Sequence, residues 1–228
     1  IQTYKNNEAL PQNVIGDFEI ARKKADQEKA NGIKGYWTNW CKGYTDGEIG
    51  SLQGVVFQFT TCDKLPEGKV IGIGLDWGFS NDPTAIISVM QFNGAIYLQE
   101  LLYETGLTNS DLVVKMKALG ISGAIIADSA EPKSIEDLRR SGFNIQGAKK
   151  GPDSIRASID RLQSQPLFIT QDSTNLIKEF RGYKWQTDQS GKSIGEPVDA
   201  FNHGIDAVRY VALNKLSMGN GDFFKRWI

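Results

Sequence analysis

Val70-Ile-Gly-Ile-Gly-Leu-Asp76 decides how the rest of the chain is read. Apolar, mostly β-branched residues fill a short run that closes on one ionisable group. That is the pattern of a buried strand whose C-terminal end reaches the surface. The pattern returns in Gly123-Ala-Ile-Ile-Ala-Asp128. If the two strands are parallel neighbours, their ends lie ~4.8 Å apart. Asp76 and Asp128 then emerge at one sheet edge, where open α/β sheets place their sites. A single Asp after a strand is more often a turn residue or a helix cap, so the argument rests on the pair.

Working outward, strands are expected at Thr84–Gln91 and Ala95–Leu102, joined by the hairpin signal Phe92-Asn93-Gly94. Helix Asn109–Leu119, strand Ala124–Ala127 and helix Pro132–Ser141 follow, the last with proline at its favoured first position. Strand Phe143–Gln146, helix Pro152–Gln163, strand Leu167–Ile169 and helix Ser173–Arg181 come next, then a long helix from Pro197 to Lys215. The order predicts an α/β fold, a ribonuclease-H-like mixed β-sheet flanked by helices, although other α/β folds share it. Residues 1–54 are polar with a thin apolar stripe, and read as a mostly helical or irregular extension. Residues 55–215 hold the sheet pattern, and 216–228 form a tail ending in Phe223-Phe224-Lys-Arg-Trp227. The start, Ile1-Gln2-Thr3-Tyr4, has neither an initiator Met nor a signal-peptide layout, and is read as a piece of a longer chain.

The third acid of interest is Asp206, in Pro197-Val-Asp-Ala-Phe-Asn-His-Gly-Ile-Asp-Ala-Val-Arg-Tyr210. On a helix beginning at Pro197, Asp199, His203 and Asp206 share one face. Converging carboxylates repel one another unless a cation lies between them, and hard oxygen donors select Mg²⁺ or Mn²⁺. Two such ions ~3.5–4 Å apart can activate water and stabilise a leaving 3′ oxygen, which is phosphodiester hydrolysis. Glu100 and Glu104 are read as structural.

The 228 residues carry 26 basic and 27 acidic groups, which argues against coating nucleic acid by bulk charge. The balance is local instead. Residues 70–132 hold seven acidic and two basic groups, and residues 133–192 hold eleven basic and seven acidic. An acidic pole beside a basic track suits metal ions facing a phosphate backbone. Lys149 and Lys150, in a loop before a helix N-terminus, are expected to hold DNA with little effect on metal binding, and Lys184 and Lys192 extend the track. No run approaches the ~20 apolar residues of a membrane span, two cysteines make no disulfide framework, and no phosphate-loop motif is present.

Four blocks then resemble the C-terminal nuclease domain of the large terminase subunit of tailed double-stranded-DNA phages. They are Gly74-Leu-Asp-Trp-Gly-Phe-Ser-Asn-Asp-Pro-Thr-Ala85, Ala127-Asp-Ser-Ala-Glu-Pro-Lys-Ser-Ile135, Lys150-Gly-Pro-Asp-Ser-Ile155 and Asp199-Ala-Phe-Asn-His-Gly-Ile-Asp-Ala-Val-Arg-Tyr210. The resemblance implies a ribonuclease-H-like endonuclease that cuts concatemeric viral DNA during packaging. Asp76, Asp128 and Asp206 would bind two Mg²⁺ or Mn²⁺ ions, His203 would donate to the phosphate or orient a ligand, and Asp82, Glu131 and Asp199 would be accessory. A hairpin over Tyr183–Ile194 is expected beside the DNA path. The implied partners are double-stranded DNA, an ATPase domain of the same full-length chain preceding the 1–54 linker, the portal protein and the small terminase subunit, with no membrane. The implied place is the host cytoplasm, transiently at the procapsid portal and not in the mature virion. The alternatives are another ribonuclease-H-like nuclease (a junction resolvase or hybrid nuclease) and a non-catalytic docking module for portal or small subunit.

Overall fold

Alternation within β2 (Val70–Asp76) settles how the layers stack. Ile73 and Leu75 join one core cluster with Leu112, Met116, Ile135 and Leu138. The intervening positions are Gly72, Gly74 and Asp76, on the opposite face. A computed structural model of the chain describes residues 19, 22–27, 29–30, 41, 55–187, 193–199 and 202–216. They fall into two compact units, residues 1–55 with 187–193 and residues 56–186 with 194–228. In the first, residues 22–27 are helical and Ala25 is buried.

The second unit is built on a seven-stranded sheet. Its strands are β1 (Thr60–Cys62), β2, β3 (Thr84–Phe92), β4 (Ala95–Glu104), β5 (Ile125–Ala127), β6 (Ile145–Gly147) and β7 (Leu167–Thr170), in the spatial order β1-β7-β4-β3-β2-β5-β6. The meander β2-β3-β4 is antiparallel, and all other pairs are parallel. Asn93 and Gly94 turn β3 into β4 with positive φ at both positions, as a tight two-residue hairpin requires. Helices α1 (Asn109–Ala118) and α2 (Pro132–Arg140) pack on the face that carries Ile73 and Leu75. Helices α3 (Ser154–Gln163), α4 (Thr174–Gly182) and α5 (His203–Lys215) cover the other, burying Ile159, Leu162, Leu176, Phe180, Ile205 and Val208 with Ile87, Val89, Leu98 and Ile126. This is the mixed sheet flanked by helices that the element order predicts. Strand β1, too short to stand out in the sequence, adds an edge beside β7.

The last helix differs from its expectation. It starts at His203, not Pro197, because Ser193–Pro197 is spent as strand β9 against β8 (Trp185–Thr187). Proline read as a helix-start signal here closes a strand, and Val198 N–H bonds the Lys184 carbonyl at 2.8 Å before the chain turns. Helix α3 likewise begins at Ser154, two residues after Pro152, with Asp153 left-handed at φ 58°. Lys192, Phe201, nearly all of residues 1–54 and the tail after Leu216 lie outside the described residues. Among the described residues no helix is long and apolar enough to cross a membrane.

Candidate active site

Strands β2 and β5 run parallel with Leu75 opposite Ala127, and Asp128 N–H donates to the Leu75 carbonyl at 3.0 Å. Asp76 and Asp128 therefore leave the sheet side by side. Trp77 Nε1 donates to the Asp128 carbonyl at 3.0 Å and ties the two strand ends together. Both carboxylates share the face covered by α5, because each follows an inward-pointing residue of the other face. Helix α5 comes unusually close there. A Cβ at Gly74 would collide with the backbone carbonyl of Ala207, and one at Gly72 would stand 3.0 Å from Val211 Cγ1. The Gly-x-Gly of β2 is thus the seat on which one turn of α5 rests.

On that seated helix, His203, Asp206 and Tyr210 fall at i, i+3 and i+7 and look toward the strand ends. Tyr210 Oη lies 3.1 Å from Asp76 Oδ1 and 3.1 Å from Asp128 Oδ2. One phenolic proton faces two acceptors. His203 Nδ1 is 3.1 Å from Asp76 Oδ2, and its Nε2 is 3.5 Å from Asp82 Oδ1. Asp206 Oδ1 is paired with the Arg209 guanidinium, whose Nε donates to Ser158 Oγ at 3.0 Å. Lys150 Nζ reaches Asp128 Oδ1 at 2.6 Å, and the Ala130 N–H donates to the same oxygen at 2.9 Å. A cavity of about 960 Å³ opens beside Asp206, with Lys150, Arg156, Trp185, Asn202 and Arg209 among its walls.

Crowding shows in the protonation of these groups. Burial lifts the Asp76 carboxyl above its ordinary range against the pull of its His203 and Tyr210 hydrogen bonds. Burial lifts Asp206 to about 6, with Arg209 opposing and Asp76 adding to the rise. Asp128 is also penalised by burial, yet Lys150, the Ala130 N–H and Tyr210 hold it below the usual carboxylate range. His203 is raised, chiefly by its hydrogen bond to Asp76. Burial, then the three acids, push Tyr210 far above an ordinary phenol, so it remains a donor.

A stability prediction follows from Asp206. Between the ordinary carboxyl value of 3.8 and about 6, the folded chain holds a proton on Asp206 that the unfolded chain releases. Stability from that proton is present in full below pH ~4 and is lost as pH rises through ~6. At pH 7.5 in EDTA, Asp206→Asn is expected to stabilise the fold by about 2 kcal/mol. Melting curves between pH 4 and 8 check this, and an unchanged or lower Tm at pH 7.5 contradicts it.

Of the other residues singled out by sequence, Asp82 reaches His203 from an exposed loop. Asp199 lies outside α5, exposed, and accepts from Asn202 Nδ2 at 3.3 Å, so the shared helix face with His203 and Asp206 does not form. Glu131 precedes α2, exposed, near Ser134 Oγ at 3.5 Å and not among the acids. Lys149 and Lys184 are exposed. Lys150 is exposed as well, and its ammonium sits on Asp128. Glu100 is structural, accepting from Asn175 Nδ2 and Leu176 N–H at the start of α4.

Three functional residues escaped the sequence reading. Tyr210 was signalled by its spacing from His203, once the helix start is placed correctly. Arg209 follows the same helix. Glu179 carries no local signal: buried within α4, it accepts from Ile205 N–H at 2.9 Å, from Gly204 N–H and from Tyr103 Oη at 2.7 Å, and so caps α5. A side chain at Gly204 would stand 2.8 Å from Leu176 Cδ1, which explains the glycine in that first turn.

Hard oxygen donors at Asp76, Asp128 and Asp206, two of them made unusually proton-loving by burial, match the chemistry of Mg²⁺ or Mn²⁺. Among the described residues no three Asp, Glu, His or Cys groups already stand as a ready-made ligand cluster. Tyr210 takes the position between Asp76 and Asp128, and Lys150 occupies an oxygen of Asp128.

The family model described as "Terminase RNAseH like domain" matches residues 76–214. The large terminase subunit of Bacillus phage SPP1 is 35% identical over 159 residues, covering 64% of this chain and 36% of that protein. The PBSX phage terminase large subunit of Bacillus subtilis (strain 168) is 26% identical over 157 residues, covering 67% and 36%. The chain thus spans about a third of the length of the relatives it matches. Among solved structures, the large terminase nuclease domain of bacteriophage SPP1 with bound Mn aligns at a TM-score of 0.59 and 31% identity, covering 69% of this chain and 97% of that one. The large terminase of a thermophilic bacteriophage in complex with ADP shares the fold at a TM-score of 0.58 and 20% identity, covering 92% and 53%.

Proposed function

The chain belongs to the family of terminase ribonuclease-H-like domains, and from that premise we propose that it is a metal-dependent endodeoxyribonuclease that cuts concatemeric viral double-stranded DNA during genome packaging. The observation that carries the reading is the Tyr210 hydroxyl, 3.1 Å from a carboxylate oxygen of both Asp76 and Asp128. Two acids from different strands are within one bridging atom of each other, and the charge of Asp76 is felt by Asp206 on α5. Bound Mn in the SPP1 nuclease domain supports the same preference here. When bound, two such ions supply an activated water and stabilise the leaving 3′ oxygen.

The chain's own groups do the positioning. Asp76, Asp128 and Asp206 hold the ions. Through Nδ1, His203 fixes the rotamer of Asp76, which favours the orienting role over donation to phosphate. Arg209 keeps one oxygen of Asp206 engaged. Lys149, Lys150, Lys184 and Lys192 are assigned to contacts with the DNA backbone, Lys150 once it leaves Asp128. Residues 1–54 link to an ATPase domain, 55–215 form the nuclease domain, and 216–228 form a tail. The full-length protein works in the host cytoplasm, at the procapsid portal with the portal protein and the small terminase subunit, and is absent from the mature virion.

The purified chain is expected to nick and then linearise supercoiled plasmid with Mn²⁺ or Mg²⁺, and to stop when EDTA is added. Failure to cut DNA with either ion defeats the proposal. Faster cutting of an RNA–DNA hybrid than of duplex DNA turns it toward a hybrid nuclease.

A further inference from the structure

We propose that Lys150 is an internal counter-cation of the acidic site, which leaves Asp128 for a DNA phosphate when a divalent ion is loaded and so couples metal binding to DNA binding. The inference rests on the reading of Asp128 as a metal ligand and adds to it a competitor built into the fold. Lys150 Nζ lies 2.6 Å from Asp128 Oδ1 and 4.7 Å from the centroid of the Tyr210 ring. The aromatic face therefore confines the ammonium at the mouth of the site. Asp128 has no oxygen left over. Oδ1 accepts from Lys150 and Ala130 N–H, and Oδ2 accepts from Tyr210. An ammonium and a dication ask for the same lone pairs on Oδ1, so each weakens the other's hold.

Lys150 is suited to give way. Its side chain is 39% exposed, against 20% for Asp128, and it projects from the loop between β6 and α3. It also lines the cavity beside Asp206, with Arg156 on the same wall. A flexible four-carbon stem carries a point charge with no fixed geometry, so it can pass from carboxylate to phosphate without moving the backbone. A phosphate that draws Lys150 away leaves Asp128 open to metal. By linkage, metal that expels Lys150 frees a cation for DNA. Without DNA, the acids are held by their own lysine, and the site resists loading.

The test uses the whole chain, with Mn²⁺ alone for the metal titration. Lys150→Met keeps the stem over Tyr210 and removes the charge, whereas Lys150→Arg keeps the charge. Calorimetric titration without DNA is expected to show Mn²⁺ binding to Lys150→Met on the order of fivefold or more tighter than to wild type, with Lys150→Arg close to wild type. With Ca²⁺ loaded in place of Mn²⁺ so that the duplex stays uncut, Lys150→Met is expected to bind a short DNA duplex more weakly than wild type, with the slope of log affinity against log salt shallower by about 1. Mn²⁺ affinity that is unchanged or lower in Lys150→Met overturns the counter-cation, and an unchanged salt slope overturns the transfer to DNA. If neither wild type nor Lys150→Met, both normally folded by circular dichroism, binds Mn²⁺, the ligand assignment itself fails.

Discussion

Asp76→Asn is expected to lower plasmid cleavage at least about a thousandfold while leaving the fold intact. The substitution keeps the shape of a buried side chain and an oxygen to accept from Tyr210. It removes a negative charge that faces Asp128 across the Tyr210 hydroxyl, where a dication would be held. A loss of ~4 kcal/mol in the transition state corresponds to that factor. Stability should not fall, because the wild-type carboxyl is already driven toward its neutral form by burial. Single-turnover nicking with Mn²⁺ measures the rate and circular dichroism the melting. A variant within tenfold of wild type would remove Asp76 from the site.

Gly74→Ala is expected to be the most damaging single methyl group in the sheet. Its Cβ would enter the carbonyl of Ala207, backbone against backbone, where no side-chain rotamer can relieve it. Helix α5 must then lift from β2, separating His203, Asp206 and Tyr210 from Asp76 and losing the packing of Ala207 and Val211. Overpacking of a core costs typically 1–3 kcal/mol where side chains can yield, and here the cost should exceed that, at about 4 kcal/mol. Urea denaturation reads the stability, and cleavage should fall with it. A variant of wild-type midpoint would show that α5 does not rest on this glycine as described.

How much was legible in the sequence depends on the range of the interaction concerned. The ends of β2 and β5 were readable because an apolar run closing on Asp is a local pattern, and parallel pairing then brings Asp76 and Asp128 together. Asp206 was readable as one member of a motif. Its helix boundary was not, since Pro197 carries the same local meaning at the start of a helix and at the end of an edge strand. The decision lay in pairing with Trp185–Thr187, which is tertiary. Glycine inside a strand carries no local sign of which backbone approaches it. For Gly72 and Gly74 the reason stands more than a hundred residues away, at Ala207 and Val211. Glu179 shows the limit most clearly: inside a helix of ordinary composition, nothing marks it as the cap of a different helix.

That borrowed cap has a kinetic side. Helix α5 obtains its N-terminal partner from α4 and its seat from β2, with Ile205 bonding Glu179 and Tyr210 bonding Asp76. The Tyr210–Asp76 bond spans 134 positions of the chain, among the most expensive loops to close in this unit. The cap on Glu179 closes only 26 positions, so the first turn of α5 is rewarded by α4 at far lower entropic cost than by β2. The long-range step is the meeting of α5 with the end of β2, which brings His203 and Tyr210 onto Asp76.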